Sequence, residues 1–272
     1  MRSPPRLLLV TLPLLFACSL TSGATPAATL AFTSTVPRVS PAPSETPASA
    51  EPAEAIRITA PGPGSRLVSP LAVHVTTTLP AFENTLTLRV LLDDGTDLIP
   101  PQAVIGSETE GGMLAFDTAL TFSVDEERPA FLQAYLASLR DGGVTHLASV
   151  VVTAVPGGTA DVRAAAEEAE RLQISMPVAS DSLRGGVVHV EGVGVASFEQ
   201  TLLIEVVDAY GAVIGLQPVL VQAPDFGLPG PFAADVAYTL AAPGPGRVVV
   251  RDISPAHGGD IHRSSVEVGL AP

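Results

Sequence analysis

Beyond about residue 55 the apolar residues fall on alternate positions. Leu86, Leu88 and Val90 face one way, and Thr85, Thr87 and Arg89 face the other. Phe116, Leu120, Phe122 and Val124 alternate in the same way with Asp117, Ala119 and Thr121. Phe232, Val236, Tyr238 and Leu240 repeat the pattern, as do Val266, Val268 and Leu270. Successive side chains of a strand point to opposite faces, so a period of two predicts strands with one buried and one wetted face. Turn formers separate these runs: Asp93-Asp94-Gly95, Asp141-Gly142-Gly143 and Pro243-Gly244-Pro245-Gly246. Several short strands within about 100 residues predict an antiparallel sandwich. One stretch departs from the pattern. Ala160 to Leu172 is rich in Ala and Glu and has no strong apolar stripe, which predicts a short, exposed connector helix.

The pattern occurs twice. Residues 116 positions apart match along nearly a whole domain: Ile58 with Ile174, Pro61 with Pro177, Phe82-Glu83 with Phe198-Glu199, and Thr85-Leu86 with Thr201-Leu202. Val90 meets Val206, Gly95 meets Gly211, Phe116 meets Phe232 and His146 meets His262. Val73-His74-Val75 matches Val188-His189-Val190 at a separation of 115, the one slip in the register. Such a repeat marks a duplicated structural unit. The expected organisation is a signal peptide over residues 1–17, a tether over 18–55, sandwiches over 56–156 and 172–272, and a connector over 157–171.

The N-terminus reads as an export signal. Arg2 and Arg6 precede an apolar run from Leu7 to Ala17, too short to span a bilayer, which takes about 20 residues, but of signal-peptide size. The run ends in Leu15-Phe16-Ala17-Cys18, which resembles the lipobox of bacterial lipoproteins. That resemblance implies lipidation at Cys18, the single cysteine of the chain, and attachment to the extracytoplasmic face of a cell membrane. From Ser19 to about Ala55 the chain is Ala, Thr, Ser and Pro with few large apolar residues. Such a composition buries too little surface to offset the entropy of ordering and predicts a disordered tether.

Composition narrows the chemistry. Aromatics make up 4% of the chain and Trp is absent, so the core must be Phe, Leu, Ile and Val. The net charge of −14 excludes a nucleic-acid partner, since phosphate binding takes clustered cations. All 14 basic residues are Arg. The absence of Lys removes Schiff-base, Ser-Lys and P-loop chemistry together.

Within each unit a set of motifs recurs in order. Ile56-Arg57-Ile58-Thr59-Ala60-Pro61 opens the first, and Leu172 to Pro177 the second. A Ser-Pro-Leu-x-Val stretch (Ser69 to Val73), the Phe-Glu pairs, a strand entering Asp93 to Gly95 or Asp208 to Gly211, and the starts Ala115-Phe116 and Pro231-Phe232 follow. In order and spacing these resemble the immunoglobulin-like domain of bacterial spore germination proteins, the β-sandwich module found beside the GerM-type domain. The resemblance covers about residues 55–156 and 171–272 and implies an extracytoplasmic interaction or structural module with no catalytic residues.

The candidate chemistry is weighed against plainer readings. His74 and His189 alternate with valines and should point outward. His257, Asp260 and His262 lie close in sequence, but the first unit has Asp141 and Val144 in place of His257 and Asp260, so an exposed turn is expected rather than a metal site. Asp93, Asp94 and Asp97 lack the oxygen ladder of a calcium loop and predict a hairpin turn. Glu83 and Glu199 each follow a core-like Phe and supply one carboxylate per unit, which fits turn capping rather than paired acid–base work. No cofactor or metal is expected. The function predicted is a non-catalytic, lipid-anchored interaction or scaffolding protein of the cell envelope, with an envelope protein or glycan as partner. The alternative is a capture or sensing module whose loops bind a sugar, a peptide or calcium.

Overall fold

The computed structural model describes residues 53–166 and 169–272; Cys18, the signal sequence and nearly all of the tether lie outside the described residues. The first unit comprises β1 (Ile56–Ala60), β2 (Arg66–Leu67), β3 (Leu71–Thr77), β4 (Thr85–Leu92), β5 (Asp97–Ile105), β6 (Ser107–Glu108), β7 (Leu114–Leu120), β8 (Arg128–Ala137) and β9 (Val144–Ala154). The second comprises β10 (Leu172–Met176), β11 (Ser182–Leu183), β12 (Val187–Gly194), β13 (Thr201–Val207), β14 (Val213–Leu220), β15 (Gly230–Ala237), β16 (Gly244–Ile253) and β17 (Asp260–Leu270). In the first unit the sheet β1-β3-β7-β6 packs on the sheet β5-β4-β8-β9. In the second, β10-β12-β15 packs on β14-β13-β16-β17. This is an immunoglobulin-like sandwich, made twice.

The alternation seen in the sequence sets the register. Leu86, Leu88 and Val90 are at most 2% exposed, while Thr85, Thr87 and Arg89 on the other face are half-buried. Phe116 and Leu120 of β7, and Phe232 and Val236 of β15, enter the two cores in the same way. Each unit's first strand ends at a proline, Pro61 or Pro177, which has no N–H to continue the ladder. Past it the chain crosses to the other sheet, where β2 pairs in parallel with β9 and β11 with β17.

Two expectations are corrected. The connector contains no α-helix among its described residues. Asp161 exchanges backbone bonds with Arg66, the Arg163 carbonyl accepts from Gly62, and Ala165 donates to the Thr59 carbonyl. With no apolar stripe to bury, helix propensity alone does not hold this segment, and the first sandwich offers its backbone groups partners instead. Phe82 and Phe198, taken as core residues, are 55% and 49% exposed on tight turns. Glu83 and Asn84, and equally Glu199 and Gln200, adopt positive φ there, and this kink turns the phenylalanines outward.

One strand pairing joins the halves. Arg263 of β17 bridges Leu147 of β9, so the two larger sheets run on as β14-β13-β16-β17-β9-β8-β4-β5. The outer strands carry exposed prolines, Pro100 and Pro101 on β5 and Pro218 on β14. A proline on an edge removes a donor and blunts further strand addition.

Candidate functional site

The seam between the sandwiches is a pseudo-two-fold contact. Leu147 and Arg263, which bridge each other, are 116 positions apart and so are counterparts in the repeat. Ala53 and Ala169 are counterparts too, and they form a second bridge. A residue that meets its own counterpart must lie on the axis relating the two units. Around these points the contacts come in pairs. The Ala55 N–H donates to Glu170 Oε2 at 2.8 Å, and the Arg171 N–H donates to Glu54 Oε2 at 3.1 Å. Gly95 packs on the His257 side chain, and Gly211 packs on that of Asp141. A Cβ at Gly95 would come within 2.8 Å of the His257 Cβ, whereas one at Gly211 would make ordinary contact with Asp141 at 3.4 Å.

The pairing is also where the copies have diverged. Arg247 Nη2 donates to Asp141 Oδ2 at 2.9 Å, and both side chains are almost fully buried. At the related place Phe131 meets His257 edge-on, with ring centroids 5.4 Å apart. Phe131 is the counterpart of Arg247 and Asp141 that of His257, so an ion pair on one side replaces an aromatic contact on the other. Further bonds cross the seam: Gln133 Nε2 to the Asp260 carbonyl at 2.7 Å, Ser149 Oγ to the Ile261 carbonyl at 2.7 Å, and Arg263 Nη1 to the Val144 carbonyl at 2.9 Å.

A cleft of about 400 Å³ opens beside the seam. Ile56, Ile58, Phe131, Val150 and Ile261 form its apolar lining, and Glu54, Arg57, Arg171, Ser197 and His262 its polar one. Ile56, Ile58 and Val150 lie on strands paired within the first sandwich, so this wall is preformed. His262 is 5% exposed; its Nε2 lies 3.4 Å from Glu54 Oε1, and its Nδ1 has no hydrogen-bond partner among the described residues. Burial, with the nearby Glu54 charge adding, raises the Glu170 carboxyl to about 7. Burial likewise lowers His146 to about 4. Both shifts have desolvation of the charged form as the leading cause.

The other sequence candidates do not converge. His74 and His189 are exposed on the outer faces of β3 and β12, and each hydrogen-bonds an aspartate of the neighbouring strand, Asp117 or Asp235. The hydrogen bond that His189 donates to the Asp235 carboxylate raises the pKa of His189. His257 accepts from the Gly259 N–H, and Asp260 is held by Arg251 and Arg263. Among the described residues no group of three or more His, Cys, Asp or Glu is placed to hold a metal ion. Asp94 accepts from the Thr96 hydroxyl and N–H and pairs with Arg128, and these contacts lower its pKa to about 2. Asp93 pairs with Arg128 as well, so two acids of the suspected calcium loop serve the turn. Glu83 and Glu199 contribute backbone carbonyls to the hydroxyls of Thr85 and Thr201.

Sequence reading missed the seam residues Glu54, Asp141, Glu170 and Arg247. The repeat offset pairs Glu54 with Glu170, but nothing in a linear pattern says that one copy's carboxylate caps the other's backbone.

The fold and this seam define a tandem of two immunoglobulin-like sandwiches. No family model matches the chain, and no curated protein matches it. Among solved structures, dimeric latent PorU from Porphyromonas gingivalis is similar at 14% identity over 84% of this chain, with a TM-score of 0.27. The chain spans 21% of that protein's length. A chimeric titin Z1Z2 tandem is similar at 14% identity over 81% of this chain and 98% of its own, with a TM-score of 0.23. The Ig1-2 module of the Drosophila receptor tyrosine phosphatase DLAR follows at 10% identity, 81% and 100% coverage, and a TM-score of 0.21. At these scores the fold assignment rests on the strand topology itself.

Proposed function

We propose that the chain is a non-catalytic, lipid-anchored interaction or scaffolding protein on the extracytoplasmic face of a bacterial envelope. The observation that carries this reading is the seam. Several of its ionisable residues hold one sandwich to the other: Asp141 with Arg247, Glu54 and Glu170 with backbone N–H groups, and Arg140 with Glu267. Such a body keeps two immunoglobulin-like modules in a fixed relation, which suits the presentation of a binding surface. The Leu15-Phe16-Ala17-Cys18 sequence supports the anchor, and the Ala/Thr/Ser/Pro tether supports a position held away from the membrane. The motif order continues to point to the module of spore germination proteins as its relative.

Intact-mass analysis of the protein from a membrane fraction tests the anchor. The expected mature chain starts at Cys18 with added acyl mass, and Cys18→Ala loses both that mass and membrane retention. An unmodified soluble chain, unaffected by the substitution, would overturn the anchor. Crosslinking in intact envelopes tests the interaction role, and the absence of any reproducible protein or glycan partner would count against it.

A further inference from the structure

Because β9 and β17 meet antiparallel, the docked pair of sandwiches has two ends. At one end the β8–β9 turn lies beside the β13–β14 turn, with Gly211 on Asp141; at the other the β4–β5 turn lies beside the β16–β17 turn, with Gly95 on His257. The pseudo-two-fold axis exchanges these ends, so what differs between them has arisen since the duplication. The second end holds Asp93, Asp94, Asp97, Asp125, Glu126 and Glu127 in its turns and strand ends, nearly all of them exposed. The repeat offset puts Ala209, Tyr210, Val213, Ala241, Ala242 and Pro243 at the related places of the first end. Six acids on one end are matched by six uncharged residues on the other.

The first sandwich adds apolar surface to the end that has lost its acids. Phe82, Ile105, Met113 and Leu139 are exposed there, Ile105 by 77% and Leu139 by 70%, on the same end as Tyr210 at 90%. The strand ladder places them together: Thr85 pairs with Ile105, and Leu114 with Thr77. A cleft of about 440 Å³ opens among them, with Leu79, Pro80, Ala81, Phe82 and Leu139 in its walls. Glu267, also in the lining, is tied to Arg140 and Arg247. The chain enters the first sandwich at this end, where the Ala55 carbonyl accepts from the Thr78 N–H and the Thr77 hydroxyl. The opposite end exposes Phe226 and Leu228, but on the side of the molecule that carries the acids.

We propose that this apolar end docks reversibly on a lipid bilayer, with Phe82, Ile105, Leu139 and Tyr210 reaching into the headgroup boundary and the acidic end turned to water. Grouped exposed apolar side chains mark a contact with a partner or a membrane. Charge and reach favour the membrane. The negative surface of a bilayer repels carboxylates, so a strongly acidic chain approaches it by the end that has lost them. About 35 residues separate Ala53 from Cys18, and at roughly 3.3–3.6 Å each they span at most about 120 Å. A chain anchored at Cys18 therefore meets the bilayer at a high effective concentration, and weak insertion suffices as a second signal. The tether sets how far the folded body stands off, and the apolar end brings it back. Glu83, Glu108 and Glu110 remain exposed at this end, so the contact depends on apolar insertion and not on charge. The setting rests on the lipid-anchored reading of the chain.

The test couples the chain from Cys18 to Pro272, through its single cysteine, to a maleimide lipid in phosphatidylcholine vesicles. Chemical coupling supplies the anchor, so the result does not depend on lipidation in the cell, which intact-mass analysis reads separately. The chain has no Trp, so Leu139→Trp at the apolar end and Phe226→Trp at the acidic end each introduce one reporter. In vesicles of brominated phosphatidylcholine, Leu139→Trp should lose emission and shift to the blue, while Phe226→Trp keeps the emission it has in solution. Adding Ile105→Asp and Tyr210→Asp to Leu139→Trp should abolish both changes; the first unit already carries an acid, Asp94, at the place of Tyr210. An unaltered melting curve shows that this variant folds, and Tyr210→Asp alone serves if it does not. Emission of Leu139→Trp that stays as in solution, equal quenching of the two reporters, quenching of Phe226→Trp alone, or quenching that survives the added aspartates would overturn the proposal.

Discussion

At the scale of single residues, burial rather than charge pairing governs two titrating groups beside the seam, Glu170 and His146. Glu170 is raised to about 7, so it contributes stability that is full below its ordinary 4.5 and is lost as pH rises through about 7. His146 is lowered to about 4, so its contribution is full above its ordinary 6.5 and is lost as pH falls through about 4. Between 4.5 and 6.5 the two slopes oppose each other and leave stability nearly level. Removing one should expose the other. Glu170→Gln should give a stability that rises with pH across this window, and His146→Gln one that falls. Urea unfolding at several pH values reads both, and parallel profiles for the two variants would contradict the assignment.

At the scale of elements, the hairpin turns carry the seam. Gly95, between β4 and β5, and Gly142, between β8 and β9, both have positive φ, at 83° and 71°. Any residue with a side chain pays about 1 kcal/mol there for the left-handed backbone. The neighbours differ. A Cβ at Gly95 would come within 2.8 Å of the His257 Cβ, which no rotamer change can move, whereas Gly142 has nothing within 4 Å. Gly95→Ala should therefore lower the denaturation midpoint distinctly more than Gly142→Ala. Equal losses would mean that the turn does not press against the second sandwich in solution. The Asp-Asp-Gly turn was legible in the sequence as a turn, because Gly and Asp favour such conformations locally. Its role as a contact was not, because His257 is far away along the chain. The connector failed for the related reason: Ala and Glu favour helix, but distant backbone partners were available.

At the scale of the whole molecule, the seam makes the two sandwiches one cooperative body. Thermal unfolding should show a single transition reported alike by probes in either half. Asp141→Ala leaves Arg247 buried with only the half-exposed Glu267 as ion partner, a loss of about 3–5 kcal/mol for a broken buried pair. That loss should split the transition or lower it sharply. The molecule supplies its own repair: Asp141→His combined with Arg247→Phe recreates the contact that His257 and Phe131 make across the axis. The double variant should regain most of the lost stability, and no recovery would mean that the two sides of the seam are not interchangeable.

What the sequence determined by itself was everything carried by local period and by repetition. Alternation fixed which faces of β4, β7 and β15 are buried, since side-chain direction in a strand is a property of the backbone alone. The offset of 116 positions established that there are two units, and turn formers placed the breaks between strands. The tertiary structure alone decided which surfaces meet. That Leu147 lies beside Arg263, that Glu54 caps the backbone of the other unit, and that Phe82 and Phe198 turn outward all follow from docking one finished sandwich against another or from kinks in the backbone. The free energy of such a contact comes from groups distant in sequence and close in space, and a linear pattern contains no term for their distance.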